Sequence, residues 1–358
     1  MKILSIVGAR PQFIKAFALS RELRRKHKEI LVHTGQHYDY EMSRIFFDEL
    51  DIPEPDYNLE VGSGPHGEQT GNMLERIEKV LLKEKPDLVL VYGDTNSTLA
   101  GALAAAKLHI KVAHVEAGLR SFDRRMPEEI NRIVTDHVSD ILFAPTKTAV
   151  RNLKSEGITN GVYLVGDIMA DSLEAAKERA QKSKILEKLR ISSGEYILST
   201  IHRAENTDDP KKMGAILDAM VKCGRQVVLP LHPRTKNVLK KSEKKSVMMK
   251  KIGGSKVRIV EPVGYVDMIA LMLGASKVLT DSGGVQKEAY ILGKPCITMR
   301  ESTEWTETIR EGWNVLVGSD AKKIADAIEN FNPKGRRKDL FPCGAGLKMA
   351  KVLNDWLK

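Results

Sequence analysis

Short runs of β-branched and aliphatic residues recur along the chain, each followed by a stretch with helical spacing. In the first half they are ILSIV at 3–7, ILVHT at 30–34, LVLVY at 88–92, VAHVE at 112–116, ILFA at 141–144 and VYLVG at 162–166. Because nearly every position is apolar, rather than every second one, these runs read as parallel strands buried on both faces. Between them, HGEQTGNMLERIEKVLLKEK ahead of Pro86 and TNSTLAGALAAAKLH after Asp94 have helical periodicity and stop signals at their ends. Repeated βαβ order predicts a doubly wound α/β sheet.

After Gly166 a mostly helical bridge, DIMADSLEAAKERAQKSKILEKLR, leads to a second series: YILST at 196–200, QVVLPL at 226–231, VRIVE at 257–261, KVLT at 277–280, PCITM at 295–299 and NVLV at 314–317. The pattern therefore predicts two Rossmann-like domains, 1–168 and 169–344, facing each other across a cleft. The terminal helix 345–358 is expected to pack back on the first domain. At roughly 150 residues per domain, a chain of 358 residues agrees. Open sheets of this kind bind ligands beyond the carboxyl ends of their strands, so the site is expected in the strand-end loops of both halves.

With 42% hydrophobic and 29% charged residues, the composition excludes disordered and fibrous classes. No run approaches 20 apolar residues, and the start MKILSIVGARPQF meets a Gly-Arg-Pro turn too early for a signal peptide, so a cytoplasmic protein without a membrane span is expected. Three cysteines without a Cys-x-x-Cys pair support neither a disulfide framework nor a cysteine zinc site. The net charge of +10 suggests nucleic acid, but residues 211–258 alone hold 14 Lys+Arg against 2 Asp+Glu, leaving 43 against 45 elsewhere. No aromatic residues interleave the lysines at 240–251 to stack on bases. A solvated helical face is the preferred reading, and no nucleic-acid partner is expected.

The first strand-end loop, Gly8-Ala9-Arg10-Pro11-Gln12, puts Arg and Pro where a dinucleotide-binding G-x-G-x-x-G needs small residues, which disfavours a nicotinamide or flavin enzyme. Arg10 and Lys15 instead bring two cations to a helix N-terminus, an arrangement suited to phosphate. In the second half, Asp281-Ser282-Gly283-Gly284 opens a helix whose N–H groups, with the Ser282 hydroxyl, suit a diphosphate, and Glu288 one turn on suits ribose hydroxyls. Asp94 and Glu116 both end apolar runs at the sheet's carboxyl edge, where burial and mutual repulsion raise a carboxyl pKa. Asp94 before Thr95 also reads as a helix N-cap, and Glu128 after Pro127 as a first-turn residue favoured by the helix dipole. His202-Arg203 and His232-Pro233-Arg234 each put a His and an Arg at a strand end, fitting an anionic substrate and proton transfer. His33 and His37 lie four apart in a strand-to-loop passage, and no tight metal-ligand spacing is present, so no metal is expected.

The motifs GARPQFIK, TGQHYD, VYGDTNST, HVEAGLRS, MPEEINR, IHRAEN, LHPRT, TDSGGVQKEA and GKPCITMRESTE, in this order across almost the whole chain, resemble those of the non-hydrolysing UDP-N-acetylglucosamine 2-epimerases. That family has the two-domain glycosyltransferase-B fold. The resemblance implies interconversion of UDP-GlcNAc and UDP-ManNAc without a cofactor, by anti elimination of UDP to 2-acetamidoglucal and re-addition with protonation on the other face. It implies that Asp94, Glu116, Glu128 and His202 are the catalytic group, with the division of proton transfers among the carboxylates open. It also implies that Arg10, Lys15, Asp94, Glu116, His202, Val263, Met268, Ser282, Gly283, Gly284 and Glu288 line the UDP-sugar site. Val263, Met268 and Trp305 differ from residues frequent in the family, and Trp305 stands where many bacterial members have Arg.

Many bacterial relatives bind a second UDP-GlcNAc, and Gln36, His37, Gln69, Arg203 and His232 match that pattern, whereas Asp39 and Glu68 depart from it. The resemblance further implies a homodimer. The competing functions are a hydrolysing epimerase releasing free ManNAc, a glycosyltransferase, and a nucleic-acid-binding protein.

Overall fold

A computed structural model describes residues 1–36, 54–231, 235–236 and 252–356, with only the backbone of Arg10. His37, Asp39, His232 and the lysines at 240–251 lie outside the described residues. The chain divides into one compact unit of Met1–Ala175 with Phe341–Lys358, and a second of Ala176–Leu340. The division falls within the helix Ile168–Ala180.

Among the described residues the first unit holds a seven-stranded parallel sheet in the order β3-β2-β1-β4-β5-β6-β7. Its strands are β1 (Lys2–Val7), β2 (Lys28–His33), β3 (Tyr57–Asn58), β4 (Leu88–Tyr92), β5 (Lys111–Val115), β6 (Ile141–Ala144) and β7 (Val162–Leu164). The interior runs are apolar because helices cover both faces, and all five residues of β4 are buried. One core joins Leu4, Ile6, Val89 and Val91 from the strands to Met73, Ile77 and Leu81 from the helix His66–Glu84. That helix stops at Lys85, which takes the left-handed conformation before Pro86. Close packing explains the small residues of the helix Asn96–Lys107: an added Cβ at Gly101 would lie 2.6 Å from Ile6 Cδ1. The edge strand β3 has no apolar run, and pairs with β2 through Val32–Tyr57 and His33–Asn58. The terminal helix Ala345–Trp356 packs on Arg10–Leu23, and Asp171 accepts the N–H groups of Gly344 and Gly346 at 2.5 and 2.8 Å.

The second unit holds a six-stranded parallel sheet in the order β10-β9-β8-β11-β12-β13. These strands are β8 (Tyr196–Thr200), β9 (Gln226–Pro230), β10 (Val257–Val260), β11 (Lys277–Thr280), β12 (Cys296–Thr298) and β13 (Asn314–Leu316). Ile197, Val227, Leu279 and Ile297 from the sheet meet Ile216, Met220, Ile324 and Ile328 from the helices Pro210–Lys222 and Ala321–Asn330.

Each sheet reverses its winding direction once. In the first unit the reversal lies between β1 and β4, in the second between β8 and β11. Loops leaving two such strands in opposite directions open a crevice at the carboxyl edge, and the motifs singled out from the sequence fall at these two places.

Candidate functional site

At the reversal of the first sheet, Gln12 fastens the two departing loops together. Its Oε1 accepts the N–H groups of Gly8 and Ala9 at 2.8 and 3.0 Å, while its Nε2 donates to Tyr92 O and Thr98 Oγ1 at 2.7 and 2.9 Å. The helix Arg10–Leu23 thereby starts over the end of β4 and directs Lys15, one turn on, at the carboxylate of Glu116, with which it forms a buried ion pair. Lys15 Nζ also lies 3.0 Å from where a Cβ on Gly93 would stand. Glu116 takes a left-handed backbone, φ 76°, a conformation that costs a side chain of this size about 1–3 kcal/mol and is concentrated at functional sites.

Asp94 follows Gly93 at the end of β4. Its Oδ2 accepts a 2.7 Å bond from Arg132 Nη1, and Asn131 Nδ2 holds its carbonyl at 2.9 Å. Its side chain is 33% exposed, yet the protein packed around it raises its pKa. The neighbouring charges of Glu128 and Glu116 push the same way, opposed by Arg132 and Lys15. Four residues predicted from the sequence, Lys15, Asp94, Glu116 and Glu128, are thus electrostatic neighbours. The N-cap predicted for Asp94 belongs instead to Thr95, whose hydroxyl accepts from Thr98 N–H.

Glu128 sits half-buried in the first turn of Pro127–Val138. Its neighbour Glu129 is fully buried, accepting from the backbone N–H groups of Ser121 and Phe122 at 2.9 and 2.8 Å and from Arg132 Nη2 at 2.7 Å. Adjacent glutamates look equivalent in the sequence; 100° of helix rotation gives one to the scaffold and leaves the other near Asp94.

In the second unit the organiser is Asp281, fully buried after β11. It accepts the backbone N–H groups of His202 and Arg203 at 3.1 Å and Asn206 Nδ2 at 3.1 Å, and its Oδ1 lies 3.7 Å from His202 Nδ1. The loop after β8 is therefore held against the loop after β11, with the His202 side chain 31% exposed. Ser282 caps the helix Gly283–Ile291, its hydroxyl accepting from Val285 N–H. A Cβ on Gly283 would come within 3.6, 3.7 and 3.8 Å of Glu304 Oε2, Trp305 Nε1 and Arg300 Nη1, so the glycine leaves a hollow lined by polar atoms at the positive end of the helix. Glu288 is buried one turn further. Met268 is buried in the helix Tyr265–Gly274, and Val263 is half-buried just before it. Trp305 is buried, with Lys287 Nζ 4.1 Å from its ring centroid.

The residues matched to a second nucleotide-sugar site divide. Gln36 bonds Ser97 Oγ at 2.6 Å and Gln69 bonds Asn96 Nδ2 at 2.8 Å, both in the first unit. Arg203 belongs to the second unit, and His37 and His232 lie outside the described residues. Sequence reasoning passed over Gln12, Glu129, Arg132 and Asp281 as determinants of the site. Gln12, Arg132 and Asp281 reach partners remote in sequence, and Glu129 is told from Glu128 only by the turn of its helix. Among the described residues no group of three or more His, Cys, Asp or Glu is arranged to hold a metal, and no helix is long and apolar enough to cross a membrane.

Comparison with known proteins points in one direction. The family model described as UDP-N-acetylglucosamine 2-epimerase matches residues 21–345. A UDP-N-acetylglucosamine 2-epimerase homolog of Methanococcus maripaludis is 59% identical, over 99% of this chain and 98% of that protein. A UDP-2,3-diacetamido-2,3-dideoxy-D-glucuronate 2-epimerase of Pseudomonas aeruginosa is 53% identical, over 98% of both. The crystal structure of the Methanocaldococcus jannaschii UDP-GlcNAc 2-epimerase in complex with UDP-GlcNAc and UDP superimposes with a TM-score of 0.93 at 45% identity, covering 99% of this chain and 100% of that one. Two parallel α/β sheets of the glycosyltransferase-B type, with a carboxylate group at one reversal and a glycine-opened helix at the other, are thus accounted for together: this chain belongs to the UDP-N-acetylglucosamine 2-epimerase family.

Proposed function

We propose that the protein interconverts UDP-GlcNAc and UDP-ManNAc without hydrolysis, through enzyme-bound 2-acetamidoglucal and UDP. The observation that carries this reading is the grouping of Lys15, Glu116 and Glu128 around Asp94, with the Asp94 pKa raised and the Glu116 carboxylate paired to the Lys15 ammonium. The C2 proton of the sugar is not acidic, so its removal is coupled to departure of the leaving group. A carboxylate takes the C2 proton, the C–H electrons form the C1=C2 bond, and the C1–O bond breaks to release UDP. Return of UDP to C1 with a proton delivered to the opposite face of C2 gives the epimer. No electrons are gained or lost overall. Two carboxyl groups in different electrostatic surroundings suit the two proton transfers. Asp94 with Glu116 or Glu128 divides them. In the first unit Arg10 and Lys15 supply cations suited to phosphate, and in the second His202, the N–H groups of Gly283 and Gly284 and the hydroxyl of Ser282 suit a diphosphate. Glu288 takes the ribose, and Val263 and Met268 lie towards the base.

Incubation with UDP-GlcNAc in deuterated water tests the mechanism. Epimer carrying deuterium at C2 is expected, with UDP-ManNAc accumulating. Retention of the original hydrogen in every product would sink elimination and re-addition, and accumulation of free ManNAc would identify a hydrolysing enzyme. Glu116→Gln is expected to abolish turnover while keeping UDP binding.

A second reading has its own support, since the Pseudomonas relative whose name specifies a diacetamido-dideoxyglucuronate is 53% identical. The chemistry at C1 and C2 is the same for that sugar, which differs at C3 and C6. Comparing kcat/KM for the two UDP-sugars decides between them.

A further inference from the structure

His114 lies in the middle of the motif that ends in Glu116, and its side chain is fully buried in β5. Its Nδ1 is 2.7 Å from Asp136 Oδ1, and its Nε2 is 2.8 Å from the carbonyl oxygen of Gly93. A carbonyl oxygen only accepts, and so does an ionised carboxylate. Asp136 also accepts from Gly118 N–H at 3.1 Å and from Arg120 Nη1 at 2.7 Å. Burial alone would raise its pKa, but the His114 ring and the Arg120 guanidinium outweigh that, and the carboxyl lies below its ordinary value. Both ring nitrogens thus face buried acceptors, and a buried polar contact is costlier to lose than one at the surface.

The two acceptors govern different loops. Gly93, at φ 64°, directly precedes Asp94, and its N–H is already held by Val115 O at 2.9 Å, so β5 holds both the N–H and the carbonyl of this residue. Asp136 reaches Gly118, at φ 80°, two residues beyond Glu116. Arg120 fixes the far side through a two-pronged contact with Glu156 at 2.7 and 2.6 Å.

We infer that His114 is a positioning residue for the reaction: its buried ring straps the Asp94 loop to the Asp136 carboxylate that holds the Glu116 loop, and so sets the spacing of the two carboxylates. The inference rests on the function proposed above, in which Asp94 and Glu116 meet the C2 proton.

The test compares His114→Asn and His114→Gln with Glu116→Gln, measuring melting temperature, kcat for UDP-GlcNAc and the inhibition constant of UDP. The Asn amide stands near Nδ1 and retains the Asp136 side alone; the Gln amide reaches the Nε2 position and retains the hold on Gly93. A displacement of reacting groups by about 1 Å costs roughly 100-fold, so kcat of the Asn variant is expected to fall by about that factor. Gln is expected to recover about tenfold of it, with the UDP constant unchanged within about twofold in both. An Asn variant that keeps kcat within about threefold beside an inactive Glu116→Gln overturns the strap alone. A loss of UDP affinity in step with kcat, or failure of both His114 variants to fold, overturns it equally. A fully active Glu116→Gln would instead overturn the reading on which it rests.

Discussion

Charged side chains at the strand ends act on stability in different ways. Asp94 has a pKa raised above the ordinary 3.8, first by the burial around it. Its folded form therefore keeps a proton that the unfolded chain has already lost. With the folded state binding more protons, stability falls as pH rises from 3.8 through the raised value. Asp94→Asn lacks this slope, and Arg132 keeps Glu129 as partner. Thermal melts at about pH 4 and about pH 7 are expected to show the variant gaining on the wild type as the pH rises. The Lys15–Glu116 pair behaves in the opposite way. Both side chains are only 9% exposed, so removing one takes a buried counter-charge from the other. Lys15→Met is expected to cost about 3–5 kcal/mol in urea unfolding, with most of the loss restored in the double variant Lys15→Met/Glu116→Leu.

Elements tolerate change according to what they meet. An added methyl at Gly101 meets Ile6 Cδ1 at 2.6 Å and Val91 Cγ1 at 3.1 Å, side-chain ends that must shift within the core, and the helix offsets this by gaining up to about 1 kcal/mol of propensity. Gly118 is different: its Cβ would stand 2.5 Å from the backbone oxygen of Ala149, and its φ is 80°. Thermal unfolding should therefore place Gly101→Ala within about 1 kcal/mol of wild type and Gly118→Ala about 3 kcal/mol below it. The same contrast explains what the sequence could reveal. Central strands such as β4 and β11 are legible because burial on both faces demands apolar residues throughout, and one run suffices to read them. The strand β3 is not, because two residues at a sheet edge are held by pairing with β2 and carry no pattern of their own. Asp94 and Glu116 were legible as carboxylates closing apolar runs. The bonds of Glu129 and Asp136 were hidden, since which glutamate turns inward and which strand-end loop it meets depend on the helix rotation and on the sheet order.

At the scale of the molecule, the second unit is one continuous stretch with its own core, whereas the first is assembled from two stretches of chain. Phe341, Ala345, Met349 and Leu353 are buried in the returning segment, and each large apolar side chain contributes about 1.5–3 kcal/mol. A chain ending at Leu340 is expected to lose hydrogen-exchange protection in Arg10–Leu23 first, with Ala176–Leu340 little changed; equal loss in both units would contradict this division. The fastenings of the two sheets also share a property. Gln12 and Asp281 spend most of their bonds on peptide groups of the loops they hold, and peptide groups are the same whatever side chain they bear. The paths of those loops are thus decoupled from the identity of the residues along them, so selection can retune the sugar that is recognised, one side chain at a time, without redrawing the crevice.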